Sequence, residues 1–318
     1  MKDLLADDRR LLAHLTRIDL FTEGASTPPV ALSVAPTLRC NLSCSFCPFH
    51  AVDPSMEGEL DPDLLLRTVR AWVRPPEGKR LALQSVEFTG GEPALWEPLS
   101  RTILTCRHEE DVRIGVKSNG MILELARNVL AACDWIRISL NGLDEGRDIP
   151  RLPPGTGCRF HGSYVLHARS TEGAVVRAGE WCEENGAPLR LVQDVFDTRH
   201  SAHADLVGAG ARLAERFRTL RIVYVSPERM LPWHGRCWAP WLKLHAQPSG
   251  RLLACCVHTD YRADGKLDER RVVGSLPLGT MLVPGAYRMA CDACTYHGHN
   301  TFAESVFAAK HGQDKSFP

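Results

Sequence analysis

The chain has 318 residues, 44% hydrophobic and 24% charged, with 38 Lys and Arg balanced by 38 Asp and Glu. This is enough apolar sequence for one large α/β core, or a main domain with a small appendage. The zero net charge gives no bulk electrostatic attraction to nucleic acid or an anionic membrane, so neither is expected as a partner. The opening MKDLLADDRRLLAHLTRIDL has no continuous apolar run, which excludes a signal peptide or membrane span there and sets the expectation of a cytoplasmic protein.

Residues 1–28 read as an amphipathic helix and a turn-rich lead-in. Short β-like runs then alternate with helical stretches. The strand candidates are Ala31 to Ala35, Ser85 to Thr89, Val112 to Lys117, Trp135 to Leu140, His161 to His167, Leu189 to Val195 and Leu220 to Val225. Helical composition or spacing marks Asp61 to Val73, Leu95 to Arg107, Leu123 to Ala132, Glu172 to Asn185 and Ala204 to Phe217. The prolines and glycines of Ile149 to Gly157 break either period and predict a loop. Repeated βα units make a doubly wound sheet or a full or partial barrel, and in both the sites form at the carboxyl ends of the strands. After Pro227 the sequence turns rich in Trp, Pro, Gly and Cys, which predicts a barrel over 29–226 and a smaller domain over 227–318.

Twelve cysteines are many for a chain kept in a reducing compartment, so clustered ones point to metal ligands or reactive thiols. Cys40, Cys44 and Cys47 in RCNLSCSFC stand at Cys-x3-Cys-x2-Cys spacing just after the first strand. Such spacing suits an iron-sulfur cluster with one iron free to bind a ligand. Cys106, Cys133, Cys158 and Cys182 lie singly and read as small core hydrophobes. One βα unit on, SVEFTGGEP places Gly90, Gly91, Glu92 and Pro93 at a strand end, where glycines let backbone approach closely.

Together these two motifs resemble the radical S-adenosylmethionine enzymes. The resemblance implies a partial (β/α)6 TIM-like barrel, a 4Fe-4S cluster on the three cysteines, and S-adenosylmethionine whose methionine amino group meets the GGEP segment. It further implies that Phe46 lies beside adenine, and that Ser118 and Asn119 of Lys117-Ser118-Asn119-Gly120, with Ser139 and Asn141 of IRISLNG, face the methionine carboxylate and ribose. Asn141 departs from the family's usual Asp. In the resembled enzymes one electron cleaves the bound sulfonium, and the resulting 5'-deoxyadenosyl radical abstracts hydrogen from an unactivated carbon.

Cys237-x12-Gly250-x4-Cys255 followed by Cys291-x2-Cys294 resembles the short auxiliary-cluster module called the twitch domain, which implies a second 4Fe-4S cluster; four cysteines suit zinc equally well in number. Cys256 is surplus to that set. On an extended segment it faces opposite to Cys255, and is read either as a donor of a hydrogen atom to a substrate radical or as a packing residue or substitute ligand for Cys255. Glu87, Gln193 and Asp194 are substrate-facing candidates on strand phase, while His258, His297 and His299 lack ligand spacing and Trp233, Trp238 and Trp241 read as core.

The early position of the first motif leaves no room in this chain for an upstream peptide-recognition domain, which favours a small metabolite. Among small-molecule members of the twitch group, aminoglycoside-tailoring epimerases are the nearest in expected chemistry. The expectation is epimerisation of a sugar-containing secondary metabolite, served by an external one-electron reductant such as flavodoxin or ferredoxin. The alternatives are dehydrogenation of a secondary alcohol, peptide C-H modification, and a noncatalytic zinc-binding protein.

Overall fold

The computed structural model describes residues 14–22, 27–47, 58–75, 81–167, 169–194, 212, 215–217, 222–225, 231–255, 269–277, 288–294 and 297–310. After helix α1 (Leu15–Thr22) the chain alternates β1 (Ala31–Val34), α2 (Pro62–Val73), β2 (Ser85–Phe88), α3 (Leu99–His108), β3 (Arg113–Ser118), α4 (Arg127–Ala131) and β4 (Trp135–Ser139). It continues through β5 (Arg159–Leu166), α5 (Glu172–Glu184), β6 (Leu189–Gln193) and β7 (Ile222–Val225). The last part contributes β8 (Leu231–Arg236), α6 (Ala239–Leu242), β9 (Lys243–Ala246), β10 (Arg251–Leu253), β11 (Val272–Ser275), β12 (Arg288–Cys294) and α7 (His297–Lys310).

Local chemistry sets several boundaries. The Asp61 carboxylate caps α2 by accepting from the Asp63 N–H at 2.8 Å, Pro62 begins the helix, and Leu65, Leu66, Val69 and Trp72 form its buried stripe. Helix α5 starts on Thr171, whose hydroxyl accepts from the Ala174 N–H at 3.2 Å. The helix expected over Leu123 to Ala132 is instead a 3-10 turn, Met121–Glu124, followed by the short α4. The Ser118 hydroxyl draws that turn tight by accepting from the Gly120 and Ile122 N–H groups, both at 3.1 Å, and Leu125 and Ala126 are then extended. Likewise α3 begins at Leu99 because Pro93–Leu95 forms a separate 3-10 turn. Most of the helix expected over Ala204 to Phe217 lies outside the described residues.

These strands build a mixed α/β, parallel-dominated sheet of a partial TIM-like barrel, in the order β11-β10-β9-β1-β2-β3-β4-β5-β6-β7. Strands β1 to β7 pair in parallel, and β9 pairs in parallel with β1 from Ala31 opposite Lys243 to Val34 opposite Ala246. Strands β10 and β11 add antiparallel. The sheet therefore runs on past residue 227, and Trp238, Trp241, Leu244 and Leu252 share one core with Leu32, Val86 and Ile114. Strands β8 and β12 form a separate antiparallel ribbon.

Strand alternation separates two faces. Leu32, Val34, Val86, Phe88, Ile114, Val116, Ile136 and Ile138 are fully buried and join the helices in the core. The alternate positions carry Ser33, Glu87, Lys117, Trp135, Arg137 and Arg190 on the inner face. Glu87 is buried there between two ammonium groups, Lys117 Nζ at 2.6 Å and Lys243 Nζ at 2.9 Å. Burial opposes its ionisation, but the two lysines outweigh burial and hold the carboxyl well below the usual carboxylate range. At Gly115 a Cβ would stand 2.2 Å from the Trp135 ring, so the glycine makes room for the indole, and the Arg137 guanidinium lies 5.4 Å from that ring's centroid.

Two stability predictions follow from these contacts. A Cβ at Gly162 would stand 2.2 Å from Cys182 Sγ and 2.9 Å from Leu140 Cδ1. Gly162→Ala is expected to lower the urea-unfolding free energy by about 2 kcal/mol through overpacking, with part of the loss recovered when Cys182→Ala is added. Glu87→Gln takes the opposite charge away from two half-buried ammonium groups and is expected to cost about 2 kcal/mol at pH 7, less than a fully buried pair because solvent reaches both lysines. Because the native carboxyl is depressed, its contribution is present above the ordinary value of 4.5 and is lost as pH falls towards the native value. The gap between parent and variant should therefore narrow steadily as pH falls below 4.5; a gap unchanged between about pH 6 and pH 3 would refute the ion-pair account.

Candidate active site

The loops at the carboxyl ends of β1 and β2 are joined backbone to backbone. Gly91 N–H donates to the Thr37 carbonyl at 3.0 Å and Glu92 N–H to the Arg39 carbonyl at 2.8 Å. A Cβ on Gly90 would stand 2.8 Å from the Thr37 carbonyl oxygen, and one on Gly91 2.2 Å from that of Arg39. Gly90 also has φ of 106°, in the left-handed region that favours glycine. The close approach these two glycines permit is to the segment leading into Cys40.

The Glu92 carboxylate completes this junction. It is almost fully buried and accepts from Ser118 Oγ at 2.8 Å, Ala94 N–H at 3.0 Å and Asn119 N–H at 2.7 Å. Burial nevertheless raises its pKa above the ordinary value, the three donors opposing that shift. Pro93 follows Glu92 as the first residue of the 3-10 turn. Asn119, held by its N–H, turns its amide to Asn41 Oδ1 at 2.6 Å and to Cys40 Sγ at 3.8 Å. Cys40 is exposed and Cys44 and Cys47 are half-buried. Burial raises the Cys44 thiol to about 12, with Cys47, Glu145 and Cys40 adding to the effect, so the three sulfurs share one electrostatic neighbourhood.

Further round the mouth, Phe46 stacks at 4.8 Å, centroid to centroid, on His167 at the end of β5. His167 Nε2 lies 3.1 Å from Asp144 Oδ2, and Tyr164 Oη donates to Asp144 Oδ1 at 2.5 Å. This buried triad has no local motif to announce it, because its members lie on β5 and on the turn after β4. Ser139 is half-buried at the end of β4 and does not cap that turn. Asn141 is buried and spans the Val165 peptide, donating to its carbonyl at 2.9 Å and accepting from its N–H at 2.8 Å. An amide does both, whereas an ionised carboxylate, which has no donor, could not.

Glu87 sits below these loops, engaged by Lys117 and Lys243. Asp194 is buried at the end of β6, next to Gln193. In the second cysteine set, β8 leads directly into Cys237, and β12 places Cys291 opposite Trp233 and Cys294 opposite Leu231. Burial raises the Cys237 thiol to about 11, with Cys294 and Cys291 contributing, so these three sulfurs are neighbours. Asn300 joins them, donating Nδ2 to Cys294 Sγ at 3.6 Å while its Oδ1 accepts from the Trp238 N–H at 2.7 Å. Cys255 is half-buried just beyond β10, and Cys256 and His258 lie outside the described residues. Among the described residues, no group of three or more His, Cys, Asp or Glu is placed to hold a single metal ion, and no helix is long and apolar enough to cross a membrane.

Residues 34–159 match the Radical SAM superfamily. A probable GTP 3',8-cyclase of Methanosarcina mazei is 29% identical over 164 residues, covering 49% of this chain and 47% of the relative. GTP 3',8-cyclase 2 of Mycobacterium tuberculosis is 36% identical over 218 residues, covering 62% and 58% respectively. The matches thus span roughly half the length of these relatives. In fold, the chain resembles Streptococcus suis SuiB bound to its precursor peptide SuiA, with TM-score 0.52 at 16% identity over 79% of this chain and 64% of that one. The donor chemistry is compatible: Cys40, Cys44 and Cys47 are neighbouring thiols on one loop and would supply three of the four ligands of a 4Fe-4S cluster, with one iron left for S-adenosylmethionine. The comparisons support radical SAM chemistry for this chain, carried by the segment from residue 34 to residue 159.

Proposed function

We propose that the protein is a radical S-adenosylmethionine epimerase of a sugar-containing small molecule. The observation that carries the radical reading is the junction at Asn119, whose N–H is fixed by Glu92 while its amide reaches Cys40 Sγ. That junction brings the GGEP loop, the Ser118-Asn119 strand end and the cysteine loop to one mouth. In this reading Cys40, Cys44 and Cys47 hold the first cluster, and Cys237, Cys255, Cys291 and Cys294 hold a second. Relatives named for the cyclisation of GTP support a substrate containing a sugar.

When bound, the cluster and S-adenosylmethionine supply a 5'-deoxyadenosyl radical, at the expense of one electron from an external carrier such as flavodoxin or ferredoxin. The bare Gly90-Gly91 backbone receives the methionine ammonium group, the Ser139 hydroxyl serves its polar end, and Phe46, backed by His167, forms a flat wall for adenine. Glu92 is a positioning residue, since its oxygens are committed to Ser118, Ala94 and Asn119. Asn141 likewise acts through the Val165 peptide. The abstracted substrate hydrogen ends in 5'-deoxyadenosine. Cys256 then breaks its S–H bond to form a new C–H bond on the opposite face, and the thiyl left behind takes one electron and one proton.

The test is turnover in deuterated water against phosphorylated sugars, nucleotide sugars and aminoglycosides, with 5'-deoxyadenosine measured beside the product. The parent is expected to place one solvent deuterium on the inverted carbon, whereas Cys256→Ala should form 5'-deoxyadenosine with at least a tenfold loss of inverted product. Unchanged inversion by the variant would sink the thiol role. Zinc without sulfide after anaerobic reconstitution would sink the radical reading itself.

A further inference from the structure

The inner face of the barrel has an uneven distribution of charge. Lys117, Arg137, Arg190 and Lys243 line it, and both lysines are already joined to Glu87 at 2.6 and 2.9 Å. Among the described residues Asp194 is the other acid on this strand phase, and it stands at the rim after β6. Arg137 Nε is buried and makes no hydrogen bond, although the guanidinium is held in place over the Trp135 ring at 5.4 Å. Burial, and then the charge of Arg190, lower the Arg137 pKa, with Glu87 opposing. Arg190 shares the inner face with Arg137 through the register of β4, β5 and β6, and its Nε too is buried. Like charges brought onto one face cost stability, and a site that binds an anion turns that cost into affinity.

We infer that the Arg137 and Arg190 side chains form an oxyanion subsite inside the barrel, so that the substrate carries a phosphate or carboxylate group. This rests on the reading of the inner face as the substrate cavity. The position suits the chemistry, because Arg137 lies two residues before Ser139 on β4, directly beneath the loops assigned to S-adenosylmethionine. An anion held there places the uncharged, sugar-like part of the molecule towards the mouth. Lys117 and Lys243 reinforce the field while Glu87 fixes their positions. Glu87 offsets one of the four positive charges, and the face that remains net positive repels a polycationic aminoglycoside, so the subsite shifts the expected sugar from an amino sugar to an acidic or phosphorylated one.

Calorimetric titration of the reconstituted full chain with pyrophosphate, citrate and neutral glucose tests the subsite. Saturable binding of pyrophosphate or citrate, but not glucose, is expected. Arg137→Gln and Arg190→Gln should each weaken it at least tenfold, and the exposed control Arg216→Gln should leave it unchanged. A preference for pyrophosphate assigns a phosphate ester and a preference for citrate a carboxylate. Melting temperature separates binding from scaffolding: relief of like-charge repulsion should leave Arg137→Gln at least as stable as the parent. If it fails to fold, Arg137→Lys retains the charge without the planar fork and should still weaken binding. Absence of saturable anion binding by the parent, or parent-like affinity in both glutamine variants, would overturn the subsite. Iron, sulfide and dithionite-driven S-adenosylmethionine cleavage, measured on the same preparation, report on the radical reading separately.

Discussion

The Glu92 carboxylate is the constraint on which the mouth of the barrel depends. One buried acid with three donors ties the end of β2 to the end of β3, and its own N–H ties both to Arg39, one residue before Cys40. Hydrogen bonds to a charged acceptor contribute on the order of 1.5–3 kcal/mol each, enough to offset much of the desolvation that burial imposes. The bare glycines on its amino side are required because the same junction leaves no space for a Cβ. The Cys40 loop, the GGEP loop and the end of β3 are thus one mechanical unit, and a disturbance at any of the three is felt at the other two.

Glu87 and Glu92 illustrate how position decides what a carboxylate does. Both are buried on neighbouring stretches of the same βα unit, yet their ionisation is pushed in opposite directions. Glu87 has two ammonium groups within 3 Å, whereas Glu92 has only neutral donors. A full opposite charge outweighs burial where dipoles do not. The first therefore organises the charge of the barrel interior, and the second organises backbone.

Much of the barrel was legible because its signals are local. Apolar runs located β1 to β6 to within a few residues, and the spacing of Cys40, Cys44 and Cys47 needs no tertiary knowledge to be recognised. What escaped depends on contacts between distant segments. Asp144, Tyr164 and His167 meet only when β5 lies beside β4, and Asn141 finds its partner on that neighbouring strand. Arg137 and Arg190 look like ordinary strand residues until the sheet turns both inward. The division of Leu123 to Ala132 was hidden because apolar spacing cannot separate a 3-10 turn plus a short helix from one longer helix; the determining bonds come from the Ser118 hydroxyl.

The least legible feature was the placement of β9, a four-residue strand in Trp- and Pro-rich sequence that pairs with β1 at the opposite end of the chain. This has a consequence for the order in which the protein assembles. During synthesis β1 can pair with β2 early, but its other edge stays open until residues 243–246 have emerged. The segment that runs from that strand into Cys40 is therefore bordered on one side by the last third of the chain. Long-range closure of this kind is slow and leaves an unpaired edge exposed meanwhile. The surroundings of Cys40, Cys44 and Cys47 are accordingly completed late in the life of the nascent chain, after the polypeptide has closed on its own beginning.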